Sequence, residues 1–535
     1  MLTRRTMLTT TAGTAAAIGL MPPGAASAWA KTPKNMVVMA KQIDDMVSLD
    51  PAESYEFTDN EVDANCYSKL IVPDTADPSK LVGDLAQSWD VSPDGLTVTF
   101  HLKSDKLFAS GKAVTAEDAA YSLQRVIKLN KAPAFVIGQF GFTPDNVDSL
   151  ITATDAHTLV VKLPALQATS FLLYCLSANV GGIVEKAVAE AHATNGDFGN
   201  AWLKTNSAGS GPYSLVSWVA SDHIILNINP HFTPAPQMKR VAIRHVADPS
   251  AQLLLVQKGD VDIARDLTSD QLKSISGDKA LHLISANQAA QMYIAMNEAV
   301  PQLAKPEVRQ AIKWALGYDA IAQNITPDTW GVSQSFLPKG LPGTLNETPF
   351  KKDVTKAKAL MAQAGLSGGF SVTMDYISHA PYSDIAQAIQ ADLAGIGIKL
   401  TLVPGEEKQV ITKTRARTHQ LALLEWFPDY FDPNSNAQGF CYDPDDTDAS
   451  KVRVPAWRSH FADKTLSADV LAASKETDNA KRMAIYADMQ HRFWDIAPFA
   501  FVLQKNDVAT LRTGVNGLSL GALPDFTSYK GITKS

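Results

Sequence analysis

Hydrophobic side chains along this chain follow two spacings. At 96–102 they take every second position, Leu96, Val98, Phe100 and Leu102, which gives one apolar face of a strand. Pro93, Asp94 and Gly95 supply a turn just before it. Residues 116–129 change to steps of three and four, with Ala119, Leu123, Val126 and Ile127 on one stripe of a predicted helix. Thr115 and Asp118 have the spacing of a capping box in which Asp stands for Glu. The two periods keep alternating. Strands are predicted at 35–44, 158–163, 213–218, 223–228, 241–245, 292–296, 398–403 and 420–425, and helices at 306–316, 353–364, 382–394 and 479–494. Gly365 and Gly395 stand where helices are expected to stop in the left-handed region. A turn is expected at 49–54, since Pro51 holds Asp50 extended. The whole reads as an α/β chain without a repeat. Residues 195–211 and 286–291 are expected to be crossings between lobes.

Size sharpens this picture. A chain of 535 residues exceeds what one hydrophobic core supports, so two or more lobes are expected. With 45% hydrophobic and 19% charged residues, the composition is that of a globular protein. The formal charge of −7, without a basic block, argues against a nucleic-acid partner. The first thirty residues have a separate logic. Arg4 and Arg5 precede an apolar, small-residue stretch, and Ala28-Trp29-Ala30 supplies a cleavage signal, so residues 1–30 read as an export signal cut near Ala30. The arginine pair points to the twin-arginine route, with the general secretory route as the alternative. A periplasmic protein is the expectation.

Candidate chemistry is sparse. Cys66, Cys175 and Cys441 are odd in number and far apart; one pair is free to bridge, and the sequence does not choose it. No zinc-ligand spacing, nucleophile elbow, metalloprotease or phosphate-loop motif is present. The acidic run Asp443, Asp445, Asp446 and Asp448 departs from a calcium loop at its sixth and twelfth positions and reads as a solvated loop. The expectation is a protein that is not an enzyme and holds neither metal nor cofactor.

Five segments carry a resemblance. Residues 85–126, 209–232, 305–321, 386–403 and 423–436 (the last reading LLEWFPDYFDPNSN) are similar to blocks of the bacterial extracellular solute-binding proteins of family 5, which serve ABC importers of peptides and nickel. The resemblance implies a two-lobed periplasmic-binding-protein fold of type II, with an extra subdomain and a hinge between lobes. Lobe I would comprise 31–48, 208–290 and 500–535, the extra subdomain 49–207, and lobe II 291–499. It further implies a monomer that binds a peptide or another amine-bearing small solute between its lobes and presents it to permease subunits in the inner membrane. An opine, a metal complex or a periplasmic hydrolase stand as alternatives.

The same resemblance nominates the site. In the peptide binders an aspartate at the place of Asp429 pairs with the ligand's α-amino group, which suits a closing cleft because a desolvated ammonium needs an anionic acceptor; a loop aspartate capping a turn is the plainer reading. Trp426, Phe427, Tyr430 and Phe431 crowd that loop, either as cleft rings or as core. Tyr293 and Asn297 follow the first crossover, and Glu53, Ser54 and Tyr55 follow the first strand. The family's dipeptide binders place an arginine for the ligand carboxylate before a Pro-Tyr pair; here Ala380 stands at that place, with His379 beside it.

Overall fold

The computed structural model describes residues 32–74 and 77–535; the export-signal reading lies outside the described residues. An eleven-stranded sheet runs through the protein. From edge to edge its strands are Ile398–Gly405, Phe370–Ile377, Leu421–Trp426, Leu281–Met296, Phe499–Arg512, Ile263–Ala264, Met36–Lys41, Arg240–His245, His223–Ile228 and Tyr213–Val219, with Trp330–Val332 added along Phe499–Arg512.

Two long central strands join its halves. Residues 281–287 of one pair with 506–512 of the other, next to Ile263–Ala264 of the first half. Residues 291–296 pair with the beginning of Phe499–Arg512 and also with Leu421–Trp426 of the second half. Between these stretches the register shifts, at Asn287/Gln291 and again at Met292/Tyr293, a bulge that bends and twists the pair. Residues 286–291, expected as a crossing between lobes, are part of this strand, at the point where its pairing passes from one half to the other. Alternate side chains from 282 to 288 face solvent, which gives the segment the polarity of a loop while its backbone stays in the ladder.

Each half is covered on both faces, as a mixed α/β sheet requires. In the second half Met292, Ile294 and Met296 lie under Val308 and Ile312 of helix Pro306–Ala315 and Ile385 and Ile389 of helix Tyr382–Ala394. The intervening Tyr293 and Ala295 point to the other face, among Phe440, Phe493, Phe499 and Phe501. In the first half Val37 and Met39 pack with Val62, Ile243 and Tyr529, and Val38 and Ala40 with Val256 and Leu272. A third core forms on a separate antiparallel sheet of Ala86–Val91, Thr97–Leu102, Thr158–Lys162 and Ile151–Asp155, in that order. Helices Ala116–Leu129 and Thr169–Ser177 back it, with Val98, Phe100, Leu123, Val126 and Leu172 at its centre.

Local signals explain several boundaries. The capping box exists: Thr115 Oγ1 accepts from Asp118 N at 3.3 Å, and Asp118 Oδ2 accepts from Thr115 N at 3.0 Å. Gly365 is left-handed (φ 73°), but Gly395 is right-handed (φ −60°), and the left-handed residue after that helix is Gly397 (φ 88°). Helix Asn479–Ile496 ends against three side chains of helix Pro306–Ala315. Arg309, Gln310 and Lys313 donate to the carbonyls of Trp494, Asp495, Ile496 and Ala497, which would otherwise lack partners as the chain turns into the second long strand. The three cysteines are buried and unbridged. No described helix is long and apolar enough to cross a membrane.

Candidate functional site

Two loops face each other across the cleft, and each is fixed by a buried aspartate–arginine pair. On one side the turn after the first strand holds Asp50, whose carboxylate accepts from Arg125 Nη1 and Nη2 at 2.6 and 2.8 Å and from Asn200 Nδ2 at 2.8 Å. Its Oδ1 also receives the Ala52 amide at 3.0 Å, closing the turn that the Asp-Pro sequence sets up. Beyond this anchor the chain extends through Ser54, Tyr55 and Glu56 into helix Phe57–Cys66.

On the other side strand Leu421–Trp426 ends and Phe427, Pro428 and Asp429 lead to helix Pro433–Cys441. Asp432 caps that helix by accepting from Asn434 N at 2.8 Å, and Arg482 Nη1 and Nη2 grip it at 2.8 and 2.6 Å. Ser435 Oγ accepts from the Asp429 amide at 2.9 Å, so the backbone at Asp429 is held from the same helix. Arg482 also reaches Ser170 Oγ, at 3.2 Å, in the helix that backs the smaller sheet.

Between the loops lies a cavity of about 250 Å³. Its walls come from five remote segments: 54–60, the neighbourhoods of Val136 and Asn179, 427–429 and 523–525. The Tyr55 hydroxyl donates across it to Asp429 Oδ1. Phe57 meets Phe427 edge to face, centroids 4.8 Å apart. Burial pushes the Asp429 carboxyl up, partly offset by the Tyr55 hydrogen bond.

A second carboxyl lies behind the wall. Asp63 is fully buried; its Oδ2 accepts from Asn179 Nδ2 at 3.2 Å, and the Ser54 hydroxyl lies beside the same carboxyl. Burial, with Asp59 nearby, raises Asp63 well above the carboxylate range. A group raised in the folded state contributes stability that is complete below its unfolded value and is lost as pH rises through the folded one. Asp63→Asn is therefore expected to raise the melting temperature, with a gain that grows from pH 5 to pH 8 in thermal unfolding. A gain independent of pH would contradict it.

The structure brings four of the eleven sequence-nominated residues to the cavity wall: Ser54, Tyr55, Phe427 and Asp429. The others lie elsewhere. Tyr293 is enclosed by Phe440, Phe499 and Phe501 on the covered face of its strand. Asn297 is a buried turn residue, donating to the Arg417 and His419 carbonyls at 3.1 and 2.9 Å. Trp426 lies against Phe440 and donates to Asn436 Oδ1 at 3.0 Å. Tyr430 and Phe431 are core: the first packs on Phe171, the second between Tyr174 and Phe526, so they seal the bodies together beneath the cavity. Glu53 turns away to Lys131, Lys204 and Asn200. His379 is exposed, its ring edge-on to Tyr382. The sequence reading did not nominate Glu56, Phe57, Asn60, Asn179 or Asp525. Only Glu56 and Phe57, next to Tyr55, carried a local signal. Among the described residues no group of three or more potential ligands gathers as a metal site. The acidic run at 443–448 is tied to Arg417 and His460 through Asp446.

A mixed sheet divided into two lobes, with a cavity where their loops meet, defines a two-lobed binding protein. The chain belongs to the bacterial extracellular solute-binding proteins, family 5, whose middle region matches residues 80–448. It is 29% identical over 496 residues, 92% of each chain, to the protein of Escherichia coli K12 named "Probable D,D-dipeptide-binding periplasmic protein DdpA". In fold it is similar to the substrate-binding protein CtaP of Listeria monocytogenes, at a TM-score of 0.81 and 21% identity over 93% of this chain and 99% of that one. It is also similar to the periplasmic binding protein DppA of Helicobacter pylori, solved with the peptide STSA, at a TM-score of 0.73 and 22% identity over 93% of this chain and 98% of that one.

Proposed function

We propose that this chain is the periplasmic receptor of an ABC importer and binds a peptide-like solute in its cleft, with Asp429 receiving the solute's ammonium group. The observation that carries this reading is Asp429 itself: a carboxylate on the wall of an inter-lobe cavity, with the neutral Tyr55 hydroxyl as the one hydrogen-bond donor to its side chain among the described residues. A desolvated anion so placed is stabilised by a cation that brings its own donors. The peptide in the Helicobacter pylori structure and the dipeptide in the Escherichia coli protein's name support the ligand class.

The lobes are assigned as 31–48, 208–290 and 500–535 for the first, 49–207 for its extra subdomain and 291–499 for the second. The shifted register at 287–293 is the hinge, since closure there needs few backbone changes. Residues 1–30 direct export and are removed near Ala30. The protein acts as a monomer that hands solute to the permease and makes or breaks no bond.

Thermal shift with small peptides tests the reading, because a ligand of the native state raises apparent stability by mass action. Peptides with a free ammonium are expected to raise the melting temperature; a shift with neutral sugars alone would contradict the proposal. The pH dependence has a definite sign. Ammonium binding favours the ionised carboxyl, so affinity is complete above the raised value of free Asp429 and falls as pH drops through it. The decline is expected at a higher pH than an ordinary aspartate would give.

A further inference from the structure

Among the described residues the cavity wall holds three carboxylates, Glu56, Asp429 and Asp525, and no lysine, arginine or histidine. Asp525 has its own cation: buried Lys69 donates to it at 2.6 Å and to the Ser177 carbonyl at 2.8 Å. Glu56 has none. It stands at the N-cap of helix Phe57–Cys66, yet its side chain makes no capping bond. The charges that bear on it are Asp45 and Glu407, the latter at the start of helix Glu407–Arg415 in the other half of the sheet, and both repel it.

A neutral group on the wall points the same way. Asn60 Oδ1, an acceptor, has no hydrogen-bond partner among the described residues. A ligand carboxylate here would meet anions and an open acceptor, and would be buried without a counter-charge. A group rich in N–H would satisfy them. A second cation between Glu56 and Glu407 would also offset their repulsion as the halves close.

We propose that the cleft selects a dicationic ligand, an amine or peptide amide with two ammonium groups and no carboxylate in the cavity, Asp429 receiving one ammonium and Glu56 the other. This rests on the reading of Asp429 above and adds the charge pattern of the ligand. Calorimetry with three probes of nearly equal shape tests it: alanyl-lysine amide with two ammonium groups, alanyl-norleucine amide with one, and alanyl-norleucine as a zwitterion. Affinity is expected to fall by about tenfold at each step, the scale of one partly screened charge pair. In Glu56→Gln the gap between the two amides is expected to close. A zwitterion binding as tightly as its amide, or a gap that survives Glu56→Gln, overturns the proposal. If all three bind, and all weaken in Asp429→Asn while the gap ignores Glu56→Gln, the Asp429 reading stands and this inference alone falls. If none of the three binds, both fall.

Discussion

Arg482→Met is expected to lower the stability of the folded protein by about 3–5 kcal/mol, the cost of leaving one member of a buried ion pair without its partner. Neither side chain of the Arg482–Asp432 pair is exposed to solvent, and both guanidinium nitrogens that face Asp432 bond it. The same guanidinium satisfies the Ala473 carbonyl at 2.9 Å and reaches Ser170 of the neighbouring body. Methionine fills much of the volume and supplies no donor, so Asp432 is left either as a buried anion or as an acid that no longer caps its helix properly. Urea unfolding monitored by circular dichroism reads the loss. Replacing both residues, Arg482→Met with Asp432→Leu, is expected to recover a good part of it, because a matched apolar pair leaves no charge stranded. A single variant within about 1 kcal/mol of the parent would show that water reaches Asp432.

Asp429→Asn is expected to weaken binding of an ammonium-bearing peptide by about 2–5 kcal/mol, with shape nearly unchanged. The amide keeps an acceptor for the Tyr55 hydroxyl and loses the charge. Since burial already raises the Asp429 carboxyl in the free protein, the same change is expected to leave unliganded stability equal or slightly higher near neutral pH. That separation matters: loss of affinity without loss of stability assigns Asp429 to recognition, whereas loss of both would make it a strut of its loop. Calorimetry and thermal unfolding on one preparation give the two numbers.

Local signals made much of the fold legible. The helix at 116–129 could be read from its stripe and its capping box because both lie within a few residues. Of the long strand Leu281–Met296 only 292–296 could be read, because the other half of its length is exposed on alternate positions and is held by a partner more than two hundred residues away. The site divides in the same way. Asp429 and Tyr55 stand in short segments with distinctive chemistry, and both reach the cavity. Tyr293 and Asn297 lie on the right strand and its end, but a strand covered on both faces does not announce which face meets a cleft. Glu56, Asn179 and Asp525 meet only through tertiary folding, and nothing in their own neighbourhoods marks them as one site. The aromatic run at 426–431 shows the ambiguity most sharply: Phe427 faces the cavity, while Tyr430 and Phe431, a few residues on, form the seal beneath it.

Comparing one peptide amide with its N-acetylated form by calorimetry bears most directly on the role of Asp429. Acetylation deletes the positive charge and keeps nearly everything else. Alanyl-norleucine amide is expected to bind and its N-acetyl derivative to give no measurable heat of binding; equal affinity for the two would mean that the carboxylate at 429 answers no cation.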